Sequence, residues 1–125
     1  MLTYDDTFSG FSIDDQAAAL AFYRDSLGVE VVDEGMGLQL RLPGGAVFVY
    51  QKDDHVPATF TVLNFRVADI DAAADQLAAA GIELERYPGM PQDEKGIMRG
   101  KAANMGPDIA WFTDPAGNVL SILSD

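Results

Sequence analysis

His55 is the only histidine of the chain, and its possible chemistry depends on which side chains it can reach. Asp53 and Asp54 precede it, and carboxylates beside an imidazole are groups that can hold a divalent metal. Nucleophilic catalysis by a Ser–His pair requires His55 to reach Ser12 or Ser121, and nothing in the spacing favours either contact. We therefore interpret His55 as a solvated surface group in a linker.

Three of the eight basic residues, Lys95, Arg99 and Lys101, lie within a stretch rich in Gly, Pro and Met (residues 88–107). As a lid, this stretch brings positive charge and adaptable apolar surface over a pocket. As an ordinary solvated loop, it packs its methionines against the edge of a sheet. Side chains that can serve as acids or bases if their pKa values are shifted are Tyr50, Tyr87 and Lys95.

The composition restricts the classes of protein that are possible. A chain of 125 residues with 48% hydrophobic and 22% charged residues predicts one folded domain. The absence of cysteine excludes disulfides, thiolate nucleophiles and thiolate zinc sites. A formal net charge of -12 disfavours nucleic acid and anionic membranes, and it either favours cationic partners or serves only solubility.

The N-terminal segment and the apolar runs bear on localisation. Residues Met1 to Ser9 include Asp5 and Asp6 and no basic residue, which is unlike a secretory signal. No apolar run approaches the roughly 20 residues needed to cross a bilayer. We therefore expect a cytoplasmic protein.

One pattern occurs twice: a strand, an aspartate cap, an alanine-rich helix, a glycine stop and a second strand. The first copy uses Asp14 or Asp15 as the cap and Gly28 as the stop, and the second uses Asp69 and Gly81. Apolar residues recur at helical spacing in both copies. These residues are Leu20, Tyr23 and Leu27 with Phe22 alongside, and Ile70, Ala73 and Leu77. The strands that follow the glycines are predicted at residues 29–32 and 82–84.

Each copy is followed by a predicted hairpin. Residues 38–42 and 46–51 flank Pro43-Gly44-Gly45, and residues 109–113 and 118–123 flank Asp114-Pro-Ala-Gly117. The fold class predicted is α+β, with two tandem βαβββ modules at about 7–52 and 59–125, a linker at 53–58, and a single domain over 1–125. Each module is too small to be stable alone and is expected to pair with its copy.

Three stretches of sequence resemble the vicinal oxygen chelate superfamily, the group of glyoxalases, bleomycin resistance proteins and extradiol dioxygenases. Residues 22–29 resemble the "FY…LG" end of its first helix, and residues 65–73 resemble the start of its second module. Residues 110–120 resemble its C-terminal "DPDGN" hairpin. Their order and spacing cover nearly the whole chain. The resemblance implies a cup-shaped mixed sheet with the helices outside, a scaffold that hosts many chemistries.

The resemblance also implies a divalent metal held by His and Glu on the first and last strands of each module. The matching positions here are Phe8, Val62 and Ser121, and the fourth falls within residues 48–50. None of these residues is a histidine or carboxylate, and the strands contain no histidine one or two positions away. We therefore expect that the family metal site is lost and that the protein uses no cofactor.

Strand alternation predicts which side chains line the cup, an apolar pocket with a few polar groups. The predicted ligand-binding residues are Phe8, Gly10, Ser12, Tyr50, Asn64, Arg66, Trp111 and Ser121. Arg66 either clamps a carboxylate or phosphate or pairs with a neighbouring acid. Of Trp111 and Phe112, alternation places one in the core and the other on the cup or at a subunit interface.

Two functions follow from these predictions. The first is a metal-free small-molecule-binding protein of the bleomycin-resistance type. The resemblance to those proteins implies a cationic ligand and a homodimer. The second is a lyase, an isomerase or a dioxygenase-like enzyme that uses an atypical metal site or metal-free electrostatic catalysis. Glyoxalase I activity is not expected, because it uses the missing metal. Partners other than a small molecule, namely nucleic acid and membranes, are not expected.

Overall fold

Aspartate caps begin both helices of the chain, which a computed structural model describes from Met1 to Asp125. Helix α1 (Gln16–Leu20) begins where the Asp15 carboxylate accepts from the Ala18 N–H at 3.0 Å. Helix α2 (Ile70–Ala79) begins where Asp69 accepts from the Ala72 N–H at 3.1 Å. Beyond their ends, Gly28 and Gly81 have φ angles of 71° and 78°, in the left-handed region that glycine tolerates. The predicted caps and stops are confirmed.

The first helix widens into a π-helical segment at Ala21–Ser26. Its Leu27 N–H bonds to the Phe22 carbonyl, a step of five residues instead of four. Along α1 and this segment, Ala19 and Tyr23 are the fully buried residues, while Leu20 and Leu27 are half-buried. Tyr23 packs on Phe11 with ring centroids 6.3 Å apart, which joins the helix to the first strand.

Module one, Met1–Pro57, contains a four-stranded sheet in the order β1-β4-β3-β2. The strands are β1 (Ser9–Ile13), β2 (Glu30–Asp33), β3 (Leu38–Leu42) and β4 (Gly45–Gln51). β1 runs parallel to β4, and the other pairs are antiparallel. The β3–β4 turn is the predicted Pro43–Gly44 hairpin, with Leu42 opposite Gly45.

Module two, Ala58–Asp125, repeats this topology in the order β5-β8-β7-β6. The strands are β5 (Thr61–Arg66), β6 (Met98–Arg99), β7 (Asp108–Thr113) and β8 (Val119–Ser124). The prediction of a strand at residues 82–84 is wrong. The strand that pairs with β7 is β6, which lies inside the stretch predicted as a loop. The segment after residue 84 contacts β7 without forming a strand, through the Glu85 N–H bond to the Trp111 carbonyl and the Thr113 hydroxyl bond to the Glu85 carboxylate.

In both modules one face of the sheet packs against the helix. In module one this face carries Ile13, Leu38, Leu40 and Val49, all fully buried. In module two it carries Phe112 and Leu120, and Phe65 stacks on Phe112 at 6.5 Å. Period-2 alternation turns the intervening residues to the opposite side, which we call the helix-free face. The fold is therefore α+β with two tandem modules. Neither helix combines the length and the apolar character that a membrane-spanning helix requires.

Candidate functional site

Three predicted site residues, Gly10, Ser12 and Tyr50, share the helix-free face of module one. Gly10 lies opposite Phe48 in the β1–β4 register, and Ser12 lies opposite Tyr50. The Phe48 and Tyr50 rings are stacked, with an interplanar angle of 18°. Gly10 has no side chain on this face of β1. A Cβ atom there would lie 3.1 Å from the Phe48 carbonyl oxygen. This face is a small aromatic platform beside a serine hydroxyl.

Next to this platform lies a cavity of about 370 Å³. Its lining consists of two aromatic rings, two carboxylates, an amide and a methyl group. The residues are Asp6, Phe8, Glu34, Gln39, Ala46 and Phe48. No basic side chain is among them, so a cation in this cavity meets carboxylates and ring faces together. Phe8, predicted to line the ligand site, contributes one of the rings and is 70% exposed.

The position of Phe48 depends on Gly37, the residue immediately before β3. A Cβ atom on Gly37 would lie 2.4 Å from the Phe48 Cζ and 2.9 Å from the Val49 carbonyl oxygen. Both distances are shorter than van der Waals contact, so only glycine leaves the ring in this place. This role of Gly37 was missed at the sequence level.

Ser12 and His55 form the contact that the spacing did not predict. The Ser12 Oγ lies 2.7 Å from the His55 Nδ1, and both residues are half-buried. The interpretation of His55 as a solvated surface group is therefore wrong. The segment after β4 turns back on β1, because the Lys52 N–H bonds to the Ile13 carbonyl and the His55 N–H bonds to the Lys52 carbonyl.

Asn64, Trp111 and Ser121 meet on the helix-free face of module two. Ser121 lies opposite both of the others in the sheet register. It is fully buried and donates its hydroxyl hydrogen to the Asn64 Oδ1 at 2.6 Å. Trp111 contacts Tyr87 edge-on at 5.6 Å, whereas Phe112 is buried in the core. The structure thus resolves the Trp111–Phe112 alternative, and it brings these three predicted residues together.

Arg66 lies at the end of β5 with an exposed side chain. Its Nε donates to the Asp125 Oδ2 at 2.7 Å, and 73% of its side-chain surface is exposed. Of the two roles considered, pairing with a neighbouring acid is the one observed. Such exposed pairs contribute little to stability.

The cations of residues 88–107 are bonded within module two. Arg99 makes a bidentate contact with Asp71 on α2, at 2.8 and 3.0 Å, and also bonds to Asp93. Lys95 bonds to Asp71 and Asp75, each at 3.2 Å. These ion pairs therefore attach the stretch to α2. The positive charges of Lys95 and Arg99, which a lid would bring over a pocket, are already paired with carboxylates.

These contacts also shift the pKa values of the candidate acids and bases. Hydrogen bonds to Asp75 and Asp71 raise the pKa of Lys95, and burial, aided by Glu85, raises the pKa of Tyr87. Bonds to Arg99 and Lys95 hold the pKa of Asp71 well below its usual range. Neither Lys95 nor Tyr87 is thereby tuned towards neutral pH, so neither is favoured as a general base.

The C-terminal hairpin turn is held by a buried carboxylate. Asp114 is 4% exposed, and it accepts from the Ala116 and Asn118 N–H groups and from the Asn118 side-chain amide. The Asp-Pro-x-Gly-Asn motif, one of the three stretches on which the resemblance rests, therefore stabilises a turn in this structure. Asp114 fixes the turn that aligns Trp111 and Ser121 in the paired strands.

The residues at the family's metal positions do not fit a divalent ion. Phe8 and Val62 have no donor atom, and the Ser121 hydroxyl is bonded to Asn64. Val62 also lies in an irregularity of β5, where the register shifts between Thr61 and Leu63. No group of three or more His, Asp or Glu side chains that could hold a metal is formed.

Comparison with known proteins agrees with the fold. The sequence model of the Glyoxalase/Bleomycin resistance protein/Dioxygenase superfamily matches residues 9–122. No curated protein sequence matches significantly.

Among solved structures, the glyoxalase family protein from Enterococcus faecalis is 22% identical, with a TM-score of 0.69 over 98% of this chain and 99% of that one. The fosfomycin resistance protein FosX from Listeria monocytogenes is 12% identical, with a TM-score of 0.70 over 99% and 95%. TnmS3, an antibiotic binding protein from Streptomyces sp. CB03234, is 21% identical, with a TM-score of 0.65 over 98% of each chain. At these identities the likeness is one of fold.

Proposed function

Because the chain belongs to the Glyoxalase/Bleomycin resistance protein/Dioxygenase superfamily, we propose that it is a small-molecule-binding protein that needs no metal. We further propose that the module-one cavity holds a flat, apolar cation, and that the protein acts in the cytoplasm as a homodimer. The observation that carries the proposal is the lining of that cavity, where Phe8 and Phe48 stand beside Asp6 and Glu34 without a basic side chain.

The lining favours an aromatic cation over other ligands. A ring face attracts a cation with about 0.5–1 kcal/mol when exposed and about 2 kcal/mol when water is excluded. Carboxylates at the same site add Coulombic attraction and repel anions. Gln39 supplies an amide that can accept from or donate to a polar group of the ligand.

The charge of the whole chain supports the same ligand class. A net charge of -12 attracts cations from solution and raises their association rate, an effect that salt weakens. A wider hollow of about 780 Å³ in module two includes Arg86 and Lys95 among its lining residues. Its mixed charge offers no comparable preference for a cation.

The proposal is tested by fluorescence titration with ethidium, a planar aromatic cation, and with the anionic dye 1-anilinonaphthalene-8-sulfonate. We expect saturable binding of ethidium with one site per chain and much weaker binding of the anion. Phe48→Ala removes a ring and should raise the ethidium Kd at least about fivefold, equivalent to about 1 kcal/mol. Glu34→Gln should raise it about two- to fivefold and reduce its dependence on salt.

Matched controls separate the cavity from the rest of the surface. Phe60→Ala removes an aromatic ring that is 68% exposed and outside the cavity, and Glu30→Gln removes an exposed carboxylate from β2. Both should leave the ethidium Kd unchanged. Equal weakening by the control and cavity variants would show that the dye responds to general charge or apolarity, and the cavity assignment would be wrong. Turnover of a carbonyl or catechol substrate would instead favour an enzyme.

A further inference from the structure

The Ser12–His55 contact has the arrangement of a nucleophile and its base. The 2.7 Å distance from the Ser12 Oγ to the His55 Nδ1 lies in hydrogen-bond range. In the tautomer that carries its proton on Nε2, Nδ1 accepts the hydrogen of the Ser12 hydroxyl. We propose that these two residues form a site for acyl transfer from esters, an activity separate from the proposed binding of cations.

Backbone contacts hold the two side chains in position. Ser12 lies on β1, whose residues pair with β4 from Ser9 to Ile13. His55 lies on the turn that is attached to the end of β1 by the Lys52 N–H to Ile13 carbonyl bond. Because strand and turn are joined at this point, the separation of 43 residues in sequence becomes a fixed contact. Such prepositioning is what converts a weak hydroxyl into a useful nucleophile.

The neighbours of Ser12 on the helix-free face are a glycine and a pair of aromatic rings. Gly10, two residues earlier on the same face, has no side chain, and Tyr50 lies opposite Ser12. The stacked Phe48 and Tyr50 rings form an aromatic surface beside the hydroxyl. An ester with an aromatic leaving group can lie on these rings while its carbonyl carbon faces Ser12. The substrate class is therefore aryl esters of small carboxylic acids.

The reaction balances without any further reagent than water. The Ser12 Oγ attacks the ester carbonyl carbon while its proton passes to the His55 Nδ1. The tetrahedral intermediate collapses, the carbon–oxygen bond to the aryl group breaks, and the phenol leaves with the proton from His55. Water then attacks the acyl-Ser12 ester with His55 again accepting a proton, which releases the carboxylic acid and restores both side chains.

The first test is covalent labelling with a fluorophosphonate probe, followed by peptide mass spectrometry. We expect a single adduct on Ser12, absent in Ser12→Ala and formed at least about tenfold more slowly in His55→Gln. The control Ser9→Ala, on the same strand, should label at the wild-type rate. An adduct elsewhere, or none, would overturn the proposal.

A second test uses the fact that the chain has no cysteine. Ser12→Cys installs the only thiol, and its alkylation by iodoacetamide reports how strongly His55 activates a nucleophile at this position. We expect alkylation at least about tenfold faster than in Ser9→Cys, with the advantage removed by the added His55→Gln change. Equal rates in all three proteins, with native circular dichroism, would show that the contact is only structural.

The matching activity is hydrolysis of 4-nitrophenyl butyrate. It should be saturable in the wild-type protein and fall at least about tenfold in Ser12→Ala. Hydrolysis that survives Ser12→Ala but not His55→Gln would mean that the imidazole attacks the ester directly, which contradicts the assignment of Ser12 as nucleophile.

Discussion

Gly37 and Phe48 show how one small residue determines the shape of the cavity. The ring of Phe48 occupies the space that a side chain at position 37 would fill. The other wall residues come from the N-terminal segment, from the turn between β2 and β3, and from β3 and β4. At the residue scale, then, the proposed site depends as much on an absent side chain as on the aromatic and acidic groups present.

Gly37→Ala should therefore displace the Phe48 ring and part of the β4 backbone. Such overpacking costs about 1–3 kcal/mol, and we expect both a lower free energy of unfolding and weaker ethidium binding. Gly44→Ala is the matched control, because a Cβ atom there has nothing within 4 Å. Urea unfolding and ethidium titration of both variants measure the effect. Unchanged binding in Gly37→Ala would show that the ring position does not matter.

The assignment of Gly10, Ser12, Asn64 and Arg66 to one face of their strands followed from the period of two alone. Their contact with a ligand stays a prediction. The Ser12–His55 pair did not follow from that period, because it depends on the path of the turn after β4, which no local pattern encodes. The role of Gly37 was missed for a similar reason, since the contact is with a ring on the neighbouring strand.

At the scale of elements, ion pairs between α2 and residues 93–99 hold that stretch against the helix. Asp71 accepts from Arg99 and Lys95, and Asp93 accepts from Arg99 and from the Lys95 and Ile97 N–H groups. The bidentate Arg99–Asp71 geometry is the strongest of these contacts. The segment is therefore expected to resist opening at neutral pH.

Asp71→Asn should speed tryptic cleavage after Lys95 and Arg99 by about three- to tenfold, because the stretch then opens more often. Asp75→Asn, which removes only a contact to Lys95, should have a smaller effect. Time courses of digestion followed by mass spectrometry measure both. Equal cleavage of wild type and Asp71→Asn would mean that other contacts hold the segment.

The same carboxylate predicts a dependence of stability on pH. The folded-state pKa of Asp71 lies below its ordinary value of 3.8, so its stabilisation is full above that value. It is lost as the pH falls towards the lower folded-state pKa. The Tm difference between wild type and Asp71→Asn should therefore be constant from pH 7 to about 5 and shrink below about 4. A difference that grows on acidification would contradict this assignment.

The β7–β8 turn gives a second prediction at this scale. Asp114→Ala removes a carboxylate that accepts from two buried backbone N–H groups and from the Asn118 amide. The expected loss is about 2–4 kcal/mol in the free energy of unfolding, measured by urea denaturation. The control Asp5→Ala removes an exposed carboxylate from the N-terminal segment and should change little. A loss below about 1 kcal/mol would show that the turn forms without this carboxylate.

Elements with strong local signals were predicted well, whereas the strand that precedes β7 was not. Aspartate caps, glycine stops and the two hairpin turns are encoded by a few adjacent residues, and all of them appear where expected. The strand predicted at residues 82–84 failed because its apolar pattern is short and β6 forms from residues with no strand signal of their own. Its pairing with β7 is a tertiary effect.

At the scale of the whole molecule, the net charge of -12 should act on ligand association. Ethidium affinity is expected to fall as salt rises from about 20 to 500 mM, because screening shortens the range of the field. An ethidium affinity that does not change with salt would show that binding does not depend on the charge of the chain.

The homodimer implied by the resemblance is a further expectation, measured by light scattering during gel filtration.

The most direct test of the central claim is an ethidium titration on protein dialysed against a chelator, repeated after adding Zn, Ni, Mn or Fe(II), with elemental analysis of the natively purified protein. Since Phe8, Val62 and Ser121 offer no fitting donor set, the predicted result is an unchanged Kd in every case and no near-stoichiometric metal. Binding lost on chelation and restored by one metal, or about one tightly held metal per chain, would contradict the account.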